Sequence, residues 1–224
     1  MPDKFTALTQ DLYQYLVAHR SERDPVLAAL AKETEALGPI SLMQVAPEQG
    51  AFMTLLARSI GARAAVEVGT FTGYSALCVA RGLSADGRLL CCDVSEEWTA
   101  IGRRYWEKAG VAHKIDLRLG PALDTLRALP ADTRFDIGFV VADKPNYRNY
   151  YEEILKRLRP NGLILFDNVL WMGQVLDAAS SEESTQAIRA LNDFIATDAR
   201  VEAVMLSVSD GLTIVRKRAA GEAP

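Results

Sequence analysis

The chain has only three cysteines, Cys78, Cys91 and Cys92, and two histidines, His19 and His113. The cysteine count is odd and two are adjacent, a usage that fits free thiols in a reducing, cytoplasmic setting rather than a disulfide framework. No CxxC and no His-x-x-x-His spacing occurs, so a zinc site of the Cys/His type is excluded and any metal would be a hard cation held by oxygens. Neither histidine sits beside another motif, which leaves His-based acid–base chemistry little to work with. No apolar run approaches the roughly 20 residues that a membrane span needs. The N-terminal segment is amphipathic and carries Asp3 and Asp11, unlike a signal peptide. Positive charge is not in excess either, with 25 Lys and Arg against 29 Asp and Glu and a formal charge of −4. That balance argues against non-specific binding to nucleic acid or anionic lipid.

What the chain does have is apolar residues, 49% of the total, too many for a disordered chain. Its 224 residues suit one sizeable domain. A single domain over 1–224 is expected, with a helical N-terminal extension over 1–60 and a core over 61–218.

Helical spacing runs from Phe5 to His19, from Val26 to Leu37 behind Pro25, and from Pro47 to near Gly61. Ile40–Ala46 reads as a connector. From Ala64 short apolar runs alternate with helical stretches. The strand candidates are Ala64–Val68, Leu89–Cys92, Ile115–Leu119, Ile137–Val141, Leu163–Phe166, Val201–Ser207 and Leu212–Arg216. Helices are expected near Tyr74–Arg81, Glu96–Ala109, Ala122–Leu129, Tyr147–Leu158 and Thr185–Thr197. Continuous apolar strands alternating with helices indicate an α/β fold with a parallel sheet covered on both faces. Only Val208-Ser209-Asp210-Gly211 separates the last two strands, too little for a crossover, so they form an antiparallel hairpin. Glu222-Ala223-Pro224 reads as a frayed tail.

The first strand runs into Glu67-Val68-Gly69-Thr70-Phe71-Thr72-Gly73-Tyr74-Ser75. Glycines at a strand-to-helix turn let the backbone approach a ligand closely. The spacing lacks one glycine of the dinucleotide fingerprint, and Glu67 would repel a pyrophosphate. Ser75 and the free N–H groups at the helix start suit a carboxylate, so an amino-acid-bearing nucleotide fits better than a dinucleotide. The second strand ends in Asp93, an acid that can accept hydrogen bonds from ribose hydroxyls. Asp93 or Ser95 could instead simply cap the helix that begins near Glu96.

The stretches EVGTFTGYSAL, CDVSEEWTAIGRRYWEKAGV, ADKPNY, LRPNGLILFDNVLW and SDGLTIVRK follow one another in this order, after SLMQVAPEQGAFM in the helical N-terminus. Together they closely resemble the bacterial S-adenosylmethionine-dependent O-methyltransferases related to plant caffeoyl-CoA O-methyltransferase and animal catechol O-methyltransferase. The resemblance covers nearly the whole chain. It implies a Rossmann-like doubly wound seven-stranded sheet, mostly parallel with an antiparallel C-terminal hairpin, preceded by N-terminal helices. It implies S-adenosylmethionine as cofactor, a small aromatic (catechol-like) hydroxyl as methyl acceptor, and a homodimer. Neither nucleic acid nor membrane is an expected partner. Position by position, it places Glu67, Gly69 and Ser75 around the methionine portion of the cofactor, Asp93 at the ribose and Ala122 near the adenine. Met43 and Val45 match the cofactor-side connector, although the residues alone favour core packing for both.

A phenol, with pKa near 10, is a poor nucleophile until deprotonated. A general base and a divalent cation can both help, and the resemblance implies both. The related enzymes carry Asp-Ala-Asp-Lys on the fourth strand and Asp-Asn after the fifth; the first Asp with the Asp-Asn pair holds the metal, and the Lys is the candidate base. This chain reads Val141-Ala142-Asp143-Lys144, and then Asp167-Asn168. Lys144 is thus the candidate catalytic residue. Val141 replaces a metal ligand and a cofactor-facing position. Asp167 and Asn168 are left as an incomplete site for magnesium or calcium, with Asp143 on the same face as a substitute ligand if the strand stays extended. Metal dependence is therefore expected to be altered or absent. Tyr147 and Tyr150 are candidates to line the pocket or to pack, and Trp171 is a candidate wall for a flat substrate. The alternative to an enzyme is a repurposed S-adenosylmethionine-binding protein of the same fold. A nicotinamide oxidoreductase is disfavoured by the missing glycine, by Glu67 and by the closing hairpin.

Overall fold

The computed structural model describes residues 6–20 and 24–222. Seven strands form one sheet: β1 (Ala64–Val68), β2 (Arg88–Asp93), β3 (Ile115–Leu119), β4 (Phe135–Val140), β5 (Leu158–Asp167), β6 (Val201–Leu206) and β7 (Leu212–Lys217). Their order is β3-β2-β1-β4-β5-β7-β6. The first five pair in parallel, and β7 lies antiparallel between β5 and β6. The helices are α1 (Gln10–Ala18), α2 (Pro25–Glu35), α3 (Pro47–Ser59), α4 (Tyr74–Gly82), α5 (Glu96–Lys108), α6 (Ala122–Ala128), α7 (Tyr147–Arg157) and α8 (Glu183–Thr197). The Rossmann-like architecture is as expected.

Period-two alternation sends each strand's side chains to two cores. Ala65, Leu89, Cys91, Ile137, Phe139 and Leu165 pack under α2–α5. Val66, Leu90, Val140, Ile164 and Phe166 pack under α6–α8. The N-terminal helices brace the sheet's glycine turn: Thr34 of α2 donates to the Thr72 hydroxyl at 2.8 Å. Trp106 of α5 donates its indole N–H to the Gly73 carbonyl at 3.0 Å.

Several boundaries differ from the sequence reading. Helix α1 starts at Gln10 because Thr9 caps it, accepting from the Leu12 N–H; Phe5 and Asp3 lie outside the described residues. The connector before Pro47 begins as a 3-10 helix, Gly38–Met43. Strand β5 starts at Leu158, five residues early, because its first half pairs with Phe135 across a register shift. That half carries Pro160 and the left-handed Asn161, which mask the strand in the sequence. Glu222 is not frayed: it pairs with Arg216 and its carboxylate accepts the Ala219 N–H at 3.0 Å. Ala223 and Pro224 lie outside the described residues.

Strand order reverses between β1 and β4. In open α/β sheets the crevice beyond the strands' C-terminal ends at such a point is where ligands bind. Glu67, Gly69, Asp93, Val141, Lys144 and Asp167 all lie at that edge.

Candidate active site

Backbone hydrogen bonds lace the strand ends together past the sheet proper. The Gly69 N–H donates to the Cys92 carbonyl, Gly120 N–H to Asp93 and Val141 N–H to Val68, each at 2.9 Å. Gly69 has φ +87°, and a Cβ there would lie 2.4 Å from the Val141 carbonyl oxygen. Only glycine fits this close approach. The turn then passes through left-handed Phe71 and Gly73 into α4.

Asp93 ties the turn in place. Its Oδ2 accepts the N–H groups of Thr70 at 2.7 Å and Phe71 at 2.8 Å, and Oδ1 accepts from Ser95 N–H at 2.8 Å. Ser95, not Asp93, caps α5, accepting from Trp98 N–H. A carboxylate has about four acceptor positions, so Asp93 retains capacity for a further donor. Asp93→Ala therefore removes these loop contacts together with the ribose contact that the resemblance implies. It should weaken S-adenosylmethionine binding by about 1.5–3 kcal/mol and lower stability as well, because two loop N–H groups lose their acceptor. Calorimetry and thermal melts read the two effects; an unchanged dissociation constant would remove Asp93 from the cofactor site.

Glu67 is fully buried, and burial raises its pKa to about 8, with the Ser75 and Thr70 hydroxyls pulling it down. Neither its Oε2 nor the Thr70 Oγ1 makes a hydrogen bond of full geometry. Unsatisfied buried polar atoms of this kind are costly; an acceptor and a hydroxyl at the mouth of α4 suit the charged amino-acid end of S-adenosylmethionine. Ser75 and Ala122 are buried and Met43 is half exposed. Val45 belongs to the core beneath the N-terminal helices.

At the other half of the edge, β4 ends at Val140 and the chain turns into a 3-10 helix, Lys144–Asn146. The turn buries Lys144, which is 7% exposed. Its Nζ donates to Tyr147 Oη at 2.6 Å, to Asn168 Oδ1 at 3.0 Å and to the Ala142 carbonyl at 3.1 Å. Burial lowers its pKa to about 8 against the opposing charges of Asp167, Asp210 and Asp143. Tyr147 Oη donates onward to the Asp167 carbonyl at 3.1 Å. Burial raises the pKa of Asp167 to about 6; the Asn168 N–H, Gln49 and Lys144 act in the other direction.

The loop after β5 passes through three successive left-handed residues, Trp171, Met172 and Gly173. It is held by Met172 N–H to Asp210 at 2.6 Å and by the Trp171 indole to Glu182 at 3.2 Å. The Trp171 ring centre lies 5.3 Å from Lys144 Nζ. Tyr150 and Tyr151 are buried packing residues whose hydroxyls bond Asp143 and Asp198.

A divalent cation does not fit the donors present. Among the described residues no three His, Cys, Asp or Glu side chains converge on a possible metal position. Val141 offers only an isopropyl group, packed against the core. Asp143 is not a substitute ligand, contrary to the extended-strand reading. The strand stops one residue before Val141, and the turn swings Asp143 out to Tyr150 Oη at 2.6 Å and Asn146 Nδ2 at 2.5 Å. Asn168 Oδ1 already accepts from a cation, Lys144. Asp210 Oδ1 is taken by the Met172 N–H, which leaves Asp167, and oxygen cages for magnesium or calcium depend on carboxylate number.

Two residues that shape this half were not singled out from the sequence. Gln49 on α3 is fully buried and interacts favourably with Asp167, although neither of its amide atoms reaches full hydrogen-bond geometry. Asp210, in the hairpin turn, holds the Trp171 loop and acts on Lys144. Gln49 and Asp210 lie in the quoted stretches SLMQVAPEQGAFM and SDGLTIVRK, the only signal available.

This sheet, with a glycine turn and an acid closing its first two strands at the switch point, defines the class of α/β proteins that bind a nucleotide-type cofactor. A profile of the O-methyltransferase family matches residues 17–218. Caffeoyl-CoA O-methyltransferase 2 of Zea mays is 42% identical over 220 residues, covering 93% of this chain and 83% of that protein. The crystal structure of an O-methyltransferase from Bacillus cereus in complex with SAH superposes with a TM-score of 0.84 at 34% identity, covering 92% of this chain and 96% of that one. TomG from Streptomyces achromogenes, an O-methyltransferase crystallised with SAM, gives 0.85 at 30% identity, covering 93% and 96%. The chain belongs to the O-methyltransferase family and is an S-adenosylmethionine-dependent O-methyltransferase. Among its described residues no helix is long and apolar enough to cross a membrane.

Proposed function

We propose that this enzyme methylates a hydroxyl of a small aromatic acceptor and does so without a divalent metal, with Lys144 as the proton acceptor. The observation that carries the reading is the buried Lys144 amine, bonded to Asn168 where the resemblance implies a metal, beside an apolar Val141. The relatives named for caffeoyl-CoA support an aromatic acceptor.

S-adenosylmethionine supplies a methyl group on a positively charged sulfonium. The chain's part is to hold the two reactants in line and to remove a proton. Glu67, Gly69 and Ser75 are assigned to the methionine end, Asp93 to the ribose, Ala122 to the adenine, and Met43, Val45 and Val141 to the flanks. Holding the acceptor oxygen in line converts a two-body encounter into a positioned one. Trp171 offers a flat wall beside Lys144. In its neutral form the Lys144 amine takes the acceptor's hydroxyl proton. The resulting ammonium stays beside the oxyanion and stabilises it, with Tyr147 and Asn168 fixing the nitrogen. A lysine pKa of about 8 leaves roughly a tenth of the molecules with a free amine at pH 7. The enzyme is assigned to the cytoplasm as a homodimer, following its cysteine usage and the family resemblance.

Transfer of a labelled methyl group from S-adenosylmethionine to a panel of phenols and catechols tests the reading. Methylated product is expected on an aromatic oxygen. Cofactor binding with no transfer to any member of the panel would overturn it.

A further inference from the structure

The cation beside the acceptor oxygen in this reading is a single ammonium, and its surroundings limit what it can recognise. An ammonium has three donors and no acceptor capacity. Tyr147, Asn168 and Ala142 take all three in the free protein. In its base form the nitrogen has two N–H donors and one lone pair, so one of the three partners gives way where an incoming hydroxyl donates to that lone pair, and a second oxygen finds no further donor on the same nitrogen. The neighbouring groups do not make up the difference. Val141 is apolar, and Asp143 is turned outward onto Tyr150 and Asn146. Asp167 is 3% exposed, with its Oδ1 accepting the Asn168 N–H at 2.8 Å. The Trp171 ring centre lies 5.3 Å from the same nitrogen and offers no further acceptor or donor towards it.

We infer that the enzyme recognises its acceptor through one hydroxyl rather than through a vicinal pair, so that monophenols and phenols whose neighbouring oxygen is already an ether are substrates alongside catechols. The inference rests on the functional reading above and narrows its substrate class. A site built to pair with a second hydroxyl rejects the analogue lacking it by about 10⁴-fold or more, because buried polar partners are left empty. The Val141 side chain, where the resemblance implies a carboxylate, leaves no polar partner to strand. A methoxy group or a hydrogen meets an isopropyl group there at little cost. The reaction fits a late place in a sequence of aromatic modifications: it consumes phenols left with one free hydroxyl, including the product of an earlier O-methylation.

The test compares kcat/KM for phenol, 2-methoxyphenol and catechol, with chelator and with magnesium, in the unaltered enzyme and in Val141→Asp. In the unaltered enzyme the three are expected to agree within about tenfold, with magnesium making no difference, since no second-hydroxyl contact discriminates. Val141→Asp restores a carboxylate beside Asp167 and Asn168. With magnesium it should shift the catechol to 2-methoxyphenol ratio towards catechol by at least about tenfold. Circular dichroism and thermal melting check that the variant is folded; the comparison in the unaltered enzyme stands without it. Transfer to catechol with a preference over 2-methoxyphenol of about 100-fold or greater, towards the roughly 10⁴-fold that a stranded polar partner would produce, would overturn this inference and leave the functional reading intact. Transfer to none of the three would overturn both.

Discussion

Lys144→Met is expected to reduce turnover by roughly 10²–10⁴-fold, the usual contribution of a positioned general base. The substitution keeps most of the side-chain volume and removes the only amine at the site. Cofactor affinity should change little, because the methionine and ribose ends of the cofactor are assigned to Glu67, Ser75 and Asp93 at the other half of the edge. The variant strands Asn168 Oδ1 and Tyr147 Oη, which both bond the amine. Some loss from those stranded groups is offset because burying the lysine is itself unfavourable, as its lowered pKa shows. The pH profile carries a second signature. The folded pKa, about 8, lies below the ordinary lysine value of 10.5. Activity that needs the neutral amine should therefore rise with pH and level off above about 8. The same sign holds for stability: between about pH 8 and 10.5 the unfolded chain binds more protons than the native one, so Lys144 makes the native state more stable as pH rises. Equal turnover by the variant across pH 6–9 would make Lys144 a bystander.

Gly69→Ala is expected to have the next largest effect. At φ +87° an alanine meets a backbone penalty of about 1–2 kcal/mol. Its Cβ would also lie 2.4 Å from the Val141 carbonyl oxygen and 2.9 Å from the carbonyl carbon. Those atoms are backbone, pinned by the Val141 N–H bond to Val68, so the glycine turn must move instead. Moving it breaks the Thr70 and Phe71 bonds to Asp93. The expected cost is roughly 3–5 kcal/mol, a melting temperature lower by about 6–15 °C and cofactor affinity lower by at least about 100-fold. Gly61→Ala is the control. Gly61 also has positive φ, +61°, but nothing lies within 4 Å of its Cβ position. It should lose only about 1–2 kcal/mol with cofactor binding intact. Equal behaviour of the two variants would mean that the close approach to Val141 does not matter.

The sheet was legible because strands buried on both faces are largely apolar, as in Leu89–Cys92 and Ile137–Val140. The first half of β5 was not, because Arg159-Pro160-Asn161 carries neither period. At the candidate site, the glycine turn and Asp93 could be singled out because each sits at a strand end next to a motif, and Lys144 through the family resemblance. The direction of Asp143 could not be: it depends on whether β4 stops at Val140 or runs on, and a one-residue difference swings the carboxylate from the crevice to Tyr150. Gln49 and Asp210 act on Asp167 and Lys144 from α3 and from the hairpin turn, elements distant in the chain. Local patterns carry no trace of such contacts.

In the proposed reaction the Lys144 amine, and not a divalent ion, assists proton removal. Initial rates of methyl transfer to one aromatic acceptor, measured on enzyme dialysed against EDTA and then with added magnesium, manganese or calcium, test it most directly. The same rate is expected in chelator as in each metal, within experimental scatter. A rate that collapses in EDTA and returns on adding a cation would contradict it, and would show that Asp167 and Asn168 hold a metal despite Val141.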